Sequence, residues 1–154
     1  MIFIGIDPGK SSGAIAVTFD DEILLLRLSK STDRDIYEFL KDFKHDSDFL
    51  NVPICCAIEK LSNMGPPMNG RPGRGSKANW SLSGSYHGLK MALTCLEIPS
   101  EEVTASKWMS YLNCRTRGDK RVSQQRAKQL FPGEKCFQWQ ADALLLAHYA
   151  KLYV

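Results

Sequence analysis

Three acidic residues, Asp7, Glu59 and Asp142, interrupt apolar segments of this 154-residue chain. Asp7 closes the run Ile2 to Ile6 ahead of a Pro-Gly turn, Glu59 closes the run Val52 to Ile58, and Asp142 sits inside ADALLLAHYA. A carboxylate at the C-terminal end of a buried strand stands where α/β sheets bind ligands, and two parallel neighbouring strands deliver both acids to one edge. Carboxylates that close together repel, which raises one pKa unless a cation lies between them. Oxygen donors of this hardness favour Mg²⁺ or Mn²⁺. On a helix, Asp142 shares a stripe with Leu145, Leu146 and Tyr149 and so faces the protein, although that helix is apolar nearly all round and its inner face is weakly determined. Singly, each acid has a structural alternative: Asp7 caps a turn, Glu59 pairs with Lys60 or an arginine, Asp142 is a first-turn helix acid. Together they mark three places that one fold can bring into register.

The elements that must position them follow from hydrophobic period and turn chemistry. Ile2 to Ile6, Gly13 to Phe19 and Glu22 to Leu28 are three β-leaning runs separated by Asp-Pro-Gly and Asp20-Asp21, an antiparallel meander. Thr32 caps a helix over about Asp33 to Phe43, where Ile36, Phe39, Leu40 and Phe43 share one face. A strand over Val52 to Ile58, reached through that helix, lies parallel to an earlier strand by a right-handed crossover. GPPMNGRPGRGSK, Gly65 to Lys77, contains 4 Gly, 3 Pro and 3 basic residues. It reads as part of a long loop over about 62–79, of the length that usually carries function or disorder. Beyond it, Ser83 to Leu96 has helical period, Glu102 to Thr104 is a short strand, and Ser106 to Leu112 is a short helix with Ser106 as its cap. Lys120 to Leu130 is a basic helix, and Ala141 to Tyr153 is the last. The order βββαβαβαα predicts a single α/β domain over 1–154: a mixed five-stranded sheet, three antiparallel strands then parallel ones, flanked by helices.

Composition narrows the class. The hydrophobic fraction of 44% and charged fraction of 24% are those of a folded globular domain. Five cysteines without a C-x-x-C pair predict reduced thiols, with Cys55 and Cys56 on opposite faces of a strand. No signal-peptide pattern or membrane-length run is present, so the expected setting is cytoplasmic or nucleoid-associated, with an organelle interior as the alternative. Residues 1–59 hold 6 Lys+Arg against 11 Asp+Glu, a net −5, while residues 60–154 hold 14 against 6, a net +8. An anionic partner belongs on the second part.

GIDPG at Gly5 to Gly9 followed by SGAIAV, a strand ending in Ile58-Glu59, and ADALLLA at Ala141 to Ala147 together resemble the RuvC-type Holliday junction resolvases of the RNase H-like superfamily, with a flavour of the phage or organelle branch. The likeness spans essentially the whole chain. It implies a homodimeric endonuclease that cuts four-way DNA junctions by symmetric nicks. It implies Asp7, Glu59 and Asp142 as ligands of two Mg²⁺ or Mn²⁺ ions, one activating water and the other stabilising the leaving 3′ oxygen. It also implies Lys107 and Lys120 near the scissile phosphate. The family usually places a further acid or histidine one turn before the last aspartate. Here that stretch is Gln138, Trp139 and Gln140; Gln138, four residues before Asp142, could still offer a carbonyl oxygen as a fourth ligand, and the departure implies either a weaker site or an inactive variant. His148 points elsewhere and reads as structural.

Two basic stretches suit DNA: Arg71, Arg74 and Lys77 in the loop, and Arg115, Arg117, Lys120, Arg121, Arg126 and Lys128 later. Trp80, Tyr86, Met64 and Met68 flank the loop and could stack on exposed bases, although Tyr86 fits a core position better. His87 reads as structural or as a hydrogen-bonding surface residue, with DNA contact as the lesser alternative. Leu89, Leu93 and Leu96 suggest a dimer interface, with plain core as the alternative. Rival readings are an actin-like or sugar-kinase-like ATPase, for which the chain is too short, a catalytically weak DNA-binding module, and a less selective nuclease for branched DNA or RNA/DNA hybrids.

Overall fold

The computed structural model describes residues 1–9, 12–61, 76–116 and 118–154, with backbone alone over 76–79. Most of the loop predicted over 62–79 lies outside the described residues, together with Met64, Met68, Arg71 and Arg74; so do Arg117 and the side chain of Lys77. The elements run β1 (Ile2–Asp7), β2 (Ala14–Phe19), β3 (Glu22–Arg27), α1 (Asp33–Leu50), β4 (Ile54–Glu59), α2 (Ser76–Cys95), β5 (Ser100–Val103), α3 (Ala105–Tyr111), α4 (Arg121–Leu130) and α5 (Gln138–Tyr153). The strands form one sheet in the order β3-β2-β1-β4-β5. β1 pairs antiparallel with β2, and β2 with β3, while β4 lies parallel to β1 and β5 parallel to β4. This is the mixed architecture expected from the sequence.

Strand alternation sorts the side chains into two cores. Ile2, Ile4, Ile6, Ile15, Val17, Cys56 and Ile58 pack under α1 and α2, against Leu40, Tyr86, Leu89 and Leu93. Ala14, Ala16, Cys55 and Ala57 pack on the opposite face against α5, with Trp108 and Leu112 beside them. Cys55 and Cys56 thus divide between the faces as expected, and all five cysteines are free. Tyr86 is a core residue. Leu89, Leu93 and Leu96 are buried within this same core, which is the plain-core alternative for them.

Several boundaries differ from the sequence expectation, and each shift has a local cause. α1 continues seven residues past Phe43 because no Gly or Pro stops it; it ends at Asn51, which takes the left-handed conformation at φ 52°. Its start is as expected, with the Thr32 hydroxyl accepting from Asp35 N–H and the Asp35 carboxylate accepting from Thr32 N–H. α2 begins at Ser76, directly after the last glycine of the loop, so Lys77 and Trp80 belong to a helix. Pro53 delays β4 to Ile54. β5 begins earlier, at Ser100, and stops at Val103. Thr104, and not Ser106, caps α3 by accepting from Lys107 N–H. Lys120 stands at the N-cap of α4. α5 starts at Gln138, three residues before Ala141.

Candidate functional site

β1 and β4 run parallel with Ile6 opposite Ile58, so Asp7 and Glu59 leave the sheet at the same end. Parity decides which face they take. Asp7 follows Phe3 and Gly5, and Glu59 follows Cys55 and Ala57, which puts both acids on the side covered by α5. Gly5 lets that helix come close: a Cβ there would stand 2.1 Å from the Ala147 nitrogen and 2.2 Å from the Ala143 oxygen. Because α5 rests directly on the β1 backbone, Asp142 in its first turns lies within electrostatic reach of both strand-end acids.

Each carboxylate is held differently. Asp7 Oδ1 accepts the Gly9 N–H at 3.1 Å. Glu59 Oε2 accepts the indole N–H of Trp108 at 2.9 Å. Asp142, only 5% exposed, takes a hydrogen bond at 2.9 Å from the Lys120 ammonium through Oδ2, while its Oδ1 is buried with no partner among the described residues. Burial chiefly, then repulsion from Asp142, pushes the Asp7 pKa up to about 6, against the pull of Gly9 N–H and Lys120. Burial, then repulsion from Asp7, pushes Glu59 up to about 7, with the Trp108 bond and Lys120 working against it. For Lys120, burial is the largest influence and lowers its pKa, yet Asp142, Asp7 and Glu59 together outweigh it and leave the ammonium favoured. The cluster therefore carries an internal cation on one of its three acids.

As the side chains stand, no three His, Cys, Asp or Glu groups among the described residues are gathered closely enough to share one ion. The donor chemistry nevertheless suits a hard divalent cation: three carboxylates that repel one another, and a buried carboxylate oxygen left without a partner. Exchange of the Lys120 ammonium for such an ion would make the second Asp142 oxygen available as well.

The other predicted residues divide. Lys107 is turned to Glu101 at 2.8 Å and lies over the Tyr149 ring, and it is not among the charges acting on the acids. Gln138 and Trp139 line a cavity with Asp7 and Lys120. Arg121 is paired with Asp119 through two nitrogens. Arg126 donates to the Leu112 carbonyl at 2.9 Å, bracing α4 against the end of α3. Arg115 is exposed. Trp80 is 83% exposed and borders a groove with Ile36 and Gly84. His148 packs edge-on against Phe131, beside a hollow of about 570 Å³ at the opposite end of the sheet, and His87 edge-on against Tyr86. Three contributors went unread in the sequence: Gly5, Trp108 and Arg27, which also lines the cavity beside Asp7. Only Gly5 left a signal, a glycine inside an otherwise bulky strand, which marks close backbone approach.

No family model and no curated protein matches the chain. Among solved structures, the chain is similar to Thermus thermophilus RuvC in complex with a Holliday junction substrate, at 13% identity and a TM-score of 0.60, over 99% of this chain and 96% of that one. A second Thermus thermophilus RuvC structure matches at 13% identity and a TM-score of 0.55, over 96% of this chain and 91% of that one. In architecture, then, the chain has the RuvC-type, RNase H-like fold from end to end.

Proposed function

We propose that this protein is a divalent-metal-dependent, structure-selective endonuclease that resolves four-way DNA junctions by paired symmetric nicks. The observation that carries the reading is the convergence of Asp7, Glu59 and Asp142 from β1, β4 and α5, with one Asp142 oxygen buried and without a partner among the described residues. The likeness in fold to RuvC, one structure of which holds a Holliday junction, supports the same substrate class.

Asp7, Glu59 and Asp142 would hold Mg²⁺ or Mn²⁺, with two ions expected by resemblance and Gln138 as a possible additional oxygen donor. Metal bound there supplies positive charge that activates water toward phosphorus and steadies the leaving 3′ oxygen. Trp108 holds one Glu59 oxygen in place through its N–H bond. Lys120, which bonds Asp142 in the metal-free site, would be free to face the phosphate if a cation took its place, and its charge would oppose the build-up of negative charge on the phosphate oxygens. Arg71, Arg74, Lys77, Trp80, Arg115, Arg117 and Arg121 are assigned to the DNA backbone and its exposed bases. Two equivalent strands of a junction call for two equivalent sites, hence a homodimer.

Trp139, where the resemblance leads one to expect a ligand, favours a second reading: a catalytically weak DNA-binding module of the same fold. A less selective nuclease acting on branched DNA or RNA/DNA hybrids is the third. One experiment separates them: labelled four-way junction, linear duplex and hybrid, each with Mg²⁺ and with chelator. Paired nicks in the junction alone, and with metal alone, are expected. Cutting in chelator, or equal cutting of linear duplex, overturns the proposal. Asp7→Asn should abolish cutting and leave junction binding largely intact.

A further inference from the structure

Next to the acids is a cavity of about 560 Å³ walled by Asp7, Ser12, Arg27, Lys120 and the first residues of α5, Phe137, Gln138 and Trp139. The sheet register explains how Arg27 comes to be there. Asp7 stands opposite Ala14, and Ala14 opposite Arg27, so the three lie in one row across β1, β2 and β3. Residues directly opposite on neighbouring strands share a face, and two strand spacings separate Arg27 from Asp7 by about 10 Å. Consistent with that separation, Lys120 acts on the Asp7 carboxyl and Arg27 is not among its perturbing charges.

Arg27 is the unusual member of the row. Its guanidinium lies over the Trp139 ring, 5.5 Å from the centroid, a cation–π contact that anchors the end of the side chain. Its Nε is shielded from solvent and has no hydrogen-bond partner among the described residues, and no acid among them pairs with it. A shielded charged donor without an acceptor is costly, and a planar fork held ready beside a cavity suits an oxyanion. The rest of the lining agrees: a second cation in Lys120, the Ser12 hydroxyl, the start of a 16-residue helix with no side-chain cap, and the Phe137 ring, 55% exposed. Donors and a flat apolar surface outnumber the single acid.

We propose that this cavity is a nucleotide subsite adjoining the scissile position, in which Arg27 grips the neighbouring phosphodiester and Phe137 covers a sugar or base. Trp139 then has a role of its own. At the place where a further metal ligand was expected, the chain carries the platform that holds a substrate-positioning arginine. The assignment rests on the nuclease reading above and deepens it.

The test uses the full chain and a fluorescent four-way junction, with binding measured in chelator across a range of salt. Arg27→Ala should weaken binding about tenfold and reduce the slope of log affinity against log salt by about 0.9. Arg27→Lys should keep the slope and lose part of the affinity, because a lysine carries the charge without the fork. With Mg²⁺, Arg27→Ala should raise KM and leave kcat nearly unchanged. A folded Arg27→Ala protein with unaltered slope and KM overturns the subsite while leaving the nuclease reading in place; if that variant does not fold, Arg27→Gln is judged by the same slope. An unchanged protein that binds no junction overturns both.

Discussion

Under α1 and α2 the central strands present Ile2, Ile4, Ile6, Ile15, Val17 and Ile58, whereas under α5 they present, besides the half-buried Phe3, Gly5, Ala14, Ala16, Cys55 and Ala57. Bulk on the first face fills the space below two amphipathic helices and supplies ordinary hydrophobic stabilisation. Smallness on the second does something different. It lets a helix buried on nearly every side lie against the sheet backbone, and that closeness carries Asp142 to Asp7 and Glu59. One face is built for stability and the other for reach.

The sharpest way to break this contrast is to enlarge the small face. Gly5→Val puts a branched side chain where the α5 backbone already stands, so the helix must lift or the strand must move. A loss of at least about 3 kcal/mol is expected, enough to remove most of the folded population of a marginal domain. Circular dichroism and a denaturant melt would register it. The matched change on the large face, Ile4→Val, should cost about 1 kcal/mol. Equal costs would mean that α5 does not depend on the glycine.

Emptying the large face should affect stability without touching chemistry. Leu93, 1% exposed, packs with Ile2, Ile4 and Leu40 far from the acids in the fold. Leu93→Ala should cost about 3 kcal/mol, with nicking per folded molecule unchanged at low temperature. A fall in kcat as large as the fall in stability would show that the two faces are coupled.

Why some of this was readable and some was not follows from how far apart the causes lie in the chain. Asp7 and Glu59 were legible because each ends an apolar strand, and strand parity settles their face once β1 and β4 are parallel. Asp142 was legible as inward-facing only through its stripe, since a helix apolar on all sides gives its inner face no contrast. Helix ends were misplaced where nothing in the local sequence stops a helix, as beyond Phe43, or where the start was set too late, as at Ser83 instead of Ser76. Leu89, Leu93 and Leu96 have the same pattern whether they meet a partner or the sheet beneath them. Trp108 and Arg27 had no local signal at all. Trp108 meets Glu59 across 49 residues of sequence, and Arg27 meets Trp139 only because three strands and a helix start are aligned.

A third contrast is electrostatic, because among the described residues only the small face buries mutually repelling charge. With the Asp7 pKa raised from 3.8 to about 6 and that of Glu59 from 4.5 to about 7, the folded metal-free protein binds more protons than the unfolded chain between about pH 4 and pH 7. The unfolding free energy therefore falls as pH rises through that window: the stability is fully present below the unfolded pKa values and lost above the folded ones. Asp35, Glu102 and Asp119 have lowered pKa values and act in the opposite sense, but at more acid pH; His148, held below the ordinary imidazole value by burial and then by Lys151 and Arg126, also opposes the trend within the window, one group against two. In chelator, Tm should drop by about 5 °C between pH 5 and pH 8. Mg²⁺ at pH 8 should restore it, and Asp7→Asn should flatten the profile. A metal-free Tm that rises with pH across this range would contradict the repulsion.

The smallest effect concerns the residue that joins the small face to the site. Trp108 is fully buried under α5, yet its indole N–H is spent on Glu59. Trp108→Phe keeps most of the packing and removes the donor, so the expected stability loss is about 1.5 kcal/mol, mixing a modest cavity with a lost charge-assisted bond. The separable part is the titration. Trp108 is the leading influence holding the Glu59 pKa down, so the variant's acid-side activity limb should move to higher pH while the limiting rate at alkaline pH is nearly kept. If the rate falls at every pH and the limb stays in place, Trp108 orients Glu59 without tuning its charge, and the small face contributes geometry alone.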